Sequence, residues 1–207
     1  MGRMVIGISG GIGSGKSRVC RFWSARFSLP LIDLDAICRS LLRPGGEGWR
    51  ALQAGFGNRF FSENGSLDRA ALRRAIFADH GLRRQLDRLL HPLARRAMQD
   101  ALAAQASETP VLVEIPLLIE AGWRSDVDRV VVVYAGLCER CRRIVKRDHV
   151  DCSEALRAIR SQMSLADKAL VADHVIDNSG AWADTCLQVI HLGRLLQDGD
   201  LADSPCR

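Results

Sequence analysis

Apolar positions along the chain gather into five short runs separated by longer, mixed stretches. Met4–Ser9, Leu29–Ile32, Val111–Ile115, Arg129–Ala135 and His174–Ile176 are short and nearly continuous, which predicts buried strands of a parallel sheet. Between the first two, Lys16–Phe27 places Val19, Phe22, Trp23 and Phe27 at helical spacing. Strands alternating with helices imply an α/β fold with both faces of the sheet covered.

The alternation is uneven. Asp33–Pro110 is far longer than a simple crossover needs. Its first part is rich in turns, at Pro44-Gly45-Gly46, Gly55-Phe56-Gly57 and Asn64-Gly65. Its second part is helical: Ser66 reads as an N-cap with Asp68 in the first turn, and Leu82, Leu86, Leu89, Leu90, Leu93 and Ala97 recur at helical spacing. Pro92 is expected to break or kink that run near His91. The segment predicts an inserted helical subdomain.

Composition narrows the class. At 207 residues the chain suits one α/β domain with a modest insertion. No apolar run is long enough to span a membrane, no secretory lead is visible, and Ile6 breaks the myristoylation pattern begun by Met1–Gly2. Seven cysteines without a secretory signal predict reduced thiols and a cytoplasmic protein. Cys138-x-x-Cys141 has no second Cys/His pair at finger spacing, so both thiols are expected to be chemically silent. The net charge of +5 suits a polyanionic partner, but an ordinary basic surface is the commoner reason for such a charge. After Gln197 the chain reads as a tail.

One motif carries specific chemistry. Gly10-Gly11-Ile12-Gly13-Ser14-Gly15-Lys16-Ser17 matches G-x-x-x-x-G-K-[ST] between a predicted strand and a predicted helix. Its glycines let backbone N–H groups turn toward phosphate oxygens, and the helix N-terminus adds partial positive charge. Lys16 is expected to reach the outer phosphates, and the Ser17 hydroxyl can ligate Mg²⁺. The chain lacks the guanine-reading Asn/Thr-Lys-x-Asp of switch GTPases, and its one D-x-x-G, Asp177–Gly180, follows the last strand. Glu114 ends an apolar strand, where it either holds magnesium through water or pairs with a neighbouring cation.

Asp33 and Asp35 follow the second strand at its carboxyl end, where open α/β sheets place ligands. While the chain stays extended, the two carboxylates share a side. If a helix Ala36–Leu42 starts at once, Asp35 is its N-cap. Phosphoryl transfer to a hydroxyl needs an Asp to accept the proton and aim the oxygen. Arg140, Arg143 and Arg147 fall at i, i+3 and i+7 on one helix face, which suits either a lid over triphosphate or a solvated surface. A nucleic-acid groove would want interleaved aromatics, absent from this stretch.

Taken together, these segments resemble the dephospho-coenzyme A kinase family. The phosphate loop, Ile32-Asp33-Leu34-Asp35, Leu89-Leu90-His91-Pro92, Ile115–Glu120, Arg143-x-x-x-Arg147-Asp148, Gln162 and Ala172–Gly180 follow in that family's order, to about Leu196. Ser9, Arg18, Leu34 and Ile115 depart from the usual residues, without removing a chemical group the reaction needs. The resemblance implies an α/β P-loop NTPase-type three-layer fold with a five-stranded parallel sheet, an inserted helical subdomain and a helical lid. It places the core at about 1–35, 108–138 and 170–196, a CoA-binding insertion at about 36–107 and a lid at about 139–168. It implies transfer of the ATP γ-phosphate, with Mg²⁺, to the 3′-hydroxyl of dephospho-CoA. Asp33 would be the base, with Lys16, Arg143 and Arg147 also catalytic. Gly11, Ile12, Gly13, Ser14, Gly15, Lys16, Ser17, Arg140, Asn178 and Gly180 would bind ATP, and Ser17 the metal. Asp33, Asp35, His91, Pro116 and Leu117 would bind the acceptor. No nucleic-acid or membrane partner is implied. A kinase of another small acceptor, and a nucleotide-dependent switch or nucleic-acid-binding ATPase, are the competing readings.

Overall fold

The computed structural model describes residues 3–62, 64–106 and 108–197. Met1–Gly2 and the tail after Gln197, with Cys206, lie outside the described residues. In chain order the elements are β1 (Val5–Gly10), α1 (Lys16–Phe27), β2 (Leu31–Asp33), α2 (Leu34–Leu41), α3 (Glu47–Phe56), α4 (Arg69–Ala78), α5 (His80–Ala103), β3 (Val111–Glu114), a 3-10 turn (Trp123–Asp126), β4 (Arg129–Tyr134), α6 (Leu137–Asp148), α7 (Cys152–Arg160), α8 (Leu165–Leu170), β5 (His174–Asp177) and α9 (Trp182–Gln197). Two compact units result: the chain up to Ile32 with Gln105 onward, and Asp33–Ala104.

The first unit is built on a five-stranded parallel sheet in the order β2-β3-β1-β4-β5. β1 lies at its centre, with Gly7 in register with Val113 on one side and Val130 on the other. Central parallel strands are buried on both faces, hence the continuous apolar runs. Ile6, Ile8, Leu112, Val131, Val133 and Ile176 pack with Val19 and Trp23 of α1 and Val189, Leu192 and Leu196 of α9. Each predicted strand is present, with ends shifted by one or two residues. The segment expected to form a lid, α6 to α8, belongs to this unit.

The second unit has its own core. Leu52, Phe60, Leu72, Leu82 and Leu86 are buried, with Phe56 edge-on to Phe60 and Trp49 edge-on to Phe61. Two helices differ from expectation. Asp68, not Ser66, caps α4, accepting from the Ala71 N–H at 2.8 Å. Ser66 is occupied in the preceding turn, where its hydroxyl donates to Asn64 Oδ1 at 2.7 Å. Pro92 does not break α5, which runs through it to Ala103. The helix forgoes one backbone bond there, and buried Leu82, Leu86, Ala94, Met98 and Leu102 anchor it on both sides.

Candidate active site

The phosphate loop lies between the end of β1 and the start of α1. Gly13 and Gly15 have φ of +78° and +85°, left-handed values that side chains disfavour. Space forbids a side chain as well: a Cβ at Gly15 would sit 2.3 Å from Asn178 Nδ2, and one at Gly13 would sit 2.8 Å from the Arg140 carbonyl oxygen. No side chain caps α1 and no acidic residue lies in its first turn. The first amide N–H groups of the helix and its positive end are thus left for an anion.

Four side chains outside the loop grip the backbone of Ile12, Gly13 and Ser14. Gln162 Oε1 accepts the Ile12 N–H at 2.9 Å, and Arg140 Nε donates to the Ile12 carbonyl at 2.9 Å. Arg143 donates to the carbonyls of Gly13 (3.3 Å), Ser14 (3.2 Å) and Asn178 (2.8 Å). Asn178 Nδ2 donates to the Ser14 carbonyl at 2.7 Å, while its Oδ1 accepts from Thr185 Oγ1 at 3.0 Å. Arg140, Arg143 and Asn178 thus satisfy the Ile12, Gly13 and Ser14 carbonyls, while Gln162 takes one loop N–H. Arg140 is buried, and desolvation pulls its guanidinium below the usual arginine range. Glu139 bonds Arg142 and Arg143, which hold its carboxyl down at about 2, the Arg142 hydrogen bond being the largest cause.

Lys16 and Ser17 meet a single acid. Glu114, 6% exposed at the end of β3, pairs with the Lys16 ammonium and accepts from Ser17 Oγ at 2.5 Å. Of the two expectations for Glu114, the structure displays the pairing with a neighbouring cation. The pairing leaves neither buried charge uncompensated.

Lys168 is a functional candidate that the sequence reading missed. It is fully buried on α8, and its ammonium donates to the carbonyls of Gly10 and Pro116, each at 3.2 Å, and to Glu120 at 2.8 Å. It therefore ties the first residue of the loop to the segment after β3. Ser9 Oγ also donates to the Pro116 carbonyl, at 3.2 Å. A lone lysine in a six-residue helix gives no sequence signal of such burial.

The remaining expected residues are more dispersed. Arg147 pairs with its neighbour Asp148 at 2.7 Å and is exposed, so of the three arginines sharing a face only Arg140 and Arg143 bond the loop. Gly180 lies between Asn178 and α9, where Asp177 Oδ1 accepts from the Ser179 N–H at 2.9 Å. Leu117 follows Pro116 in the turns after β3.

Asp33 ends β2 at the carboxyl edge of the sheet and opens the second unit. The expectation that Asp35 caps the next helix is corrected. α2 begins at Leu34, Asp33 is its N-cap, and Asp33 Oδ1 accepts the Ala36 N–H at 3.0 Å. Asp35 falls in the first turn, so the two carboxylates do not continue an extended strand. Arg39 lies 3.4 Å from Asp33 Oδ2. His91 lies on α5 within 3.6 Å of Asp87, on a cavity also lined by Arg84, Arg88 and Pro92.

The family model described as dephospho-CoA kinase matches residues 4–184. A dephospho-CoA kinase of Synechocystis sp. is 37% identical over 186 residues, covering 90% of this chain and 92% of its own. The crystal structure of TT1252 from Thermus thermophilus superposes with a TM-score of 0.79 at 30% identity, covering 98% of this chain and all of the other. Dephospho-CoA kinase from Campylobacter jejuni, at 22% identity and a TM-score of 0.68, covers 95% of this chain and 98% of its own, a likeness of fold alone.

Proposed function

The chain belongs to the dephospho-CoA kinase family, and from that premise we propose how its own residues divide the transfer of phosphate from ATP to the 3′-hydroxyl of dephospho-CoA. One observation carries the reading above all. The loop Gly10–Ser17 opens an uncapped helix, with Lys16 and Ser17 converging on buried Glu114. A phosphate chain suits that loop by charge and by donor supply.

The triphosphate takes the amide N–H groups of the loop and the start of α1. Lys16 moves from Glu114 to the outer phosphates, offsetting charge as it develops on the transferred group. Arg140 and Asn178 act chiefly by holding the loop carbonyls, with Asn178 and Gly180 flanking the nucleotide base. Arg143 and Arg147 form the cationic face of a lid, α6 to α8. In this division Arg147 leaves Asp148 for the phosphates, whereas Arg143 remains on the loop.

Among the described residues, no group of three or more His, Cys, Asp or Glu is placed to hold a metal. The oxygens of Ser17 and Glu114 nevertheless form a hard-cation donor pair, which suits Mg²⁺ held mainly by water and phosphate. When bound, that ion would neutralise charge between the outer phosphates. Asp33 receives the proton of the attacking hydroxyl and aims its oxygen. Asp35, His91, Pro116 and Leu117 contribute to the acceptor site. No helix among the described residues is long and apolar enough to cross a membrane, and we place the enzyme in the cytoplasm.

The test is direct product analysis. The purified chain, given ATP, Mg²⁺ and dephospho-CoA, should yield ADP and a product bearing a 3′-phosphate, and folded Lys16→Ala should lose on the order of 3–4 kcal/mol of transition-state stabilisation. Turnover with another hydroxyl acceptor but not with dephospho-CoA would overturn the assignment.

A further inference from the structure

The lid segment holds an unexpected pair of thiols. Cys141 is buried on α6, and Cys152 is exposed as the first residue of α7. Their sulfurs are 3.1 Å apart. Cys138, one turn before Cys141, is exposed, so the C-x-x-C motif and the close pair are different pairs. The thiols border an apolar cavity of about 620 Å³, alongside Cys138, Val145, Arg142 and Lys146. That space admits a small molecule.

We propose that Cys141 and Cys152 are a reversible dithiol, closed to a disulfide by low-molecular-weight disulfides, and that closing it slows turnover by pinning α6 to α7. Sulfur–sulfur bonding needs a separation of ~2.0 Å, so the pair must close by about 1 Å. The chemistry balances without another reagent. The exposed Cys152 thiol gives its proton to solvent, and its thiolate attacks one sulfur of the small disulfide, displacing the first small thiolate. Cys141 then loses its proton and attacks the Cys152 sulfur, displacing the second. Two protein thiols are oxidised and one disulfide is reduced to two thiols. Access sets the order, since Cys141 is buried and its thiol is held above the usual range by its contact with Cys152 and by burial.

The consequence for turnover rests on the lid reading above. α6 carries Arg140 and Arg143 onto the loop, and Gln162, just beyond α7, accepts the Ile12 N–H. Cys141, Ile144, Ala155 and Ile159 form the apolar seam between the two helices. A bond across that seam joins both anchors of the loop into one stiff piece and hinders any lid movement that turnover requires.

The experiment treats the reduced full-length enzyme with oxidised glutathione, then removes it. Free thiols should fall from seven to five, with peptide masses locating a Cys141–Cys152 link. kcat should fall severalfold and return with dithiothreitol. Cys152→Ser should match reduced wild type in activity and keep it under oxidant, and Cys138→Ser should still form the link. A Cys138–Cys141 or Cys138–Cys152 link, a stable glutathione adduct only, or an unchanged kcat in the linked enzyme would each overturn the proposal. Thiol mapping is independent of kinase activity, so an inactive reduced enzyme would count against the functional assignment and not against the dithiol.

Discussion

Replacing Lys168 by Met removes a buried ammonium and keeps most of the stem that fills its space. The wild-type ammonium satisfies the Gly10 and Pro116 carbonyls and the Glu120 carboxylate. Removing one member of a buried ion pair costs about 3–5 kcal/mol, because the other charge is left uncompensated. Here Glu120 is about one-fifth exposed and can take water, which favours the low end, near 3 kcal/mol. For a chain of this size each kcal/mol moves Tm by about 2–4 °C, so Lys168→Met should melt about 6–12 °C below wild type. Urea unfolding at constant slope would give the same energy independently. Because Gly10 opens the phosphate loop, KM for ATP should rise as well. The double variant Lys168→Met/Glu120→Gln removes both charges and should recover part of the loss, a coupling of about 0.5–3 kcal/mol. A Tm shift under about 2 °C, or a double variant that loses the full sum of the singles, would refute the bracing role.

Asp33→Asn should lose ~10²–10⁴-fold in turnover while keeping its fold and ATP binding, because Asn cannot take the proton but caps α2 nearly as well. Asp35→Asn should retain far more activity; steady-state assays of both at saturating substrates make the comparison, and an active Asp33→Asn would move the base elsewhere. Arg147→Ala should lower kcat with the ATP KM nearly unchanged, whereas Arg143→Ala, which releases three carbonyls, should change both; unaltered kcat in Arg147→Ala would remove it from the lid. Glu139 has a folded pKa near 2, below its unfolded value, so its stabilisation is present above about pH 4.5 and disappears as pH falls through about 2. Melting curves of wild type and Glu139→Gln should accordingly differ at pH 6 and converge toward pH 2; a difference that grew in acid would contradict the ion pair.

Much of this protein was written locally. Short-range sterics and burial make an apolar run such as Val130–Val133 a central strand wherever it is placed, and the glycine spacing of Gly10–Ser17 admits few backbone shapes besides a phosphate loop. Those two features, with helices alternating between the strands, pointed to an α/β fold and to a candidate phosphate loop after its first strand, and the order of the further motifs pointed to the family. What remained depended on distance across the sequence. Whether Asp33 or Asp35 caps α2 turns on one pair of backbone angles, where the chain leaves the extended region at Leu34. Arg140, Arg143 and Arg147 are equivalent by spacing, yet only the packing of α6 on the loop separates two that bond its carbonyls from one that pairs with Asp148. Lys168 is an unremarked cation in the sequence, and it becomes a brace because folding brings the Gly10 and Pro116 carbonyls, 158 and 52 residues away, to one ammonium. Cys141 has a motif partner in Cys138 and Cys152 has none, yet the α6–α7 seam makes Cys141 and Cys152 the neighbours. Local sequence sets which conformations each segment can adopt; which charges and thiols meet is decided only when the segments bury their apolar faces against one another.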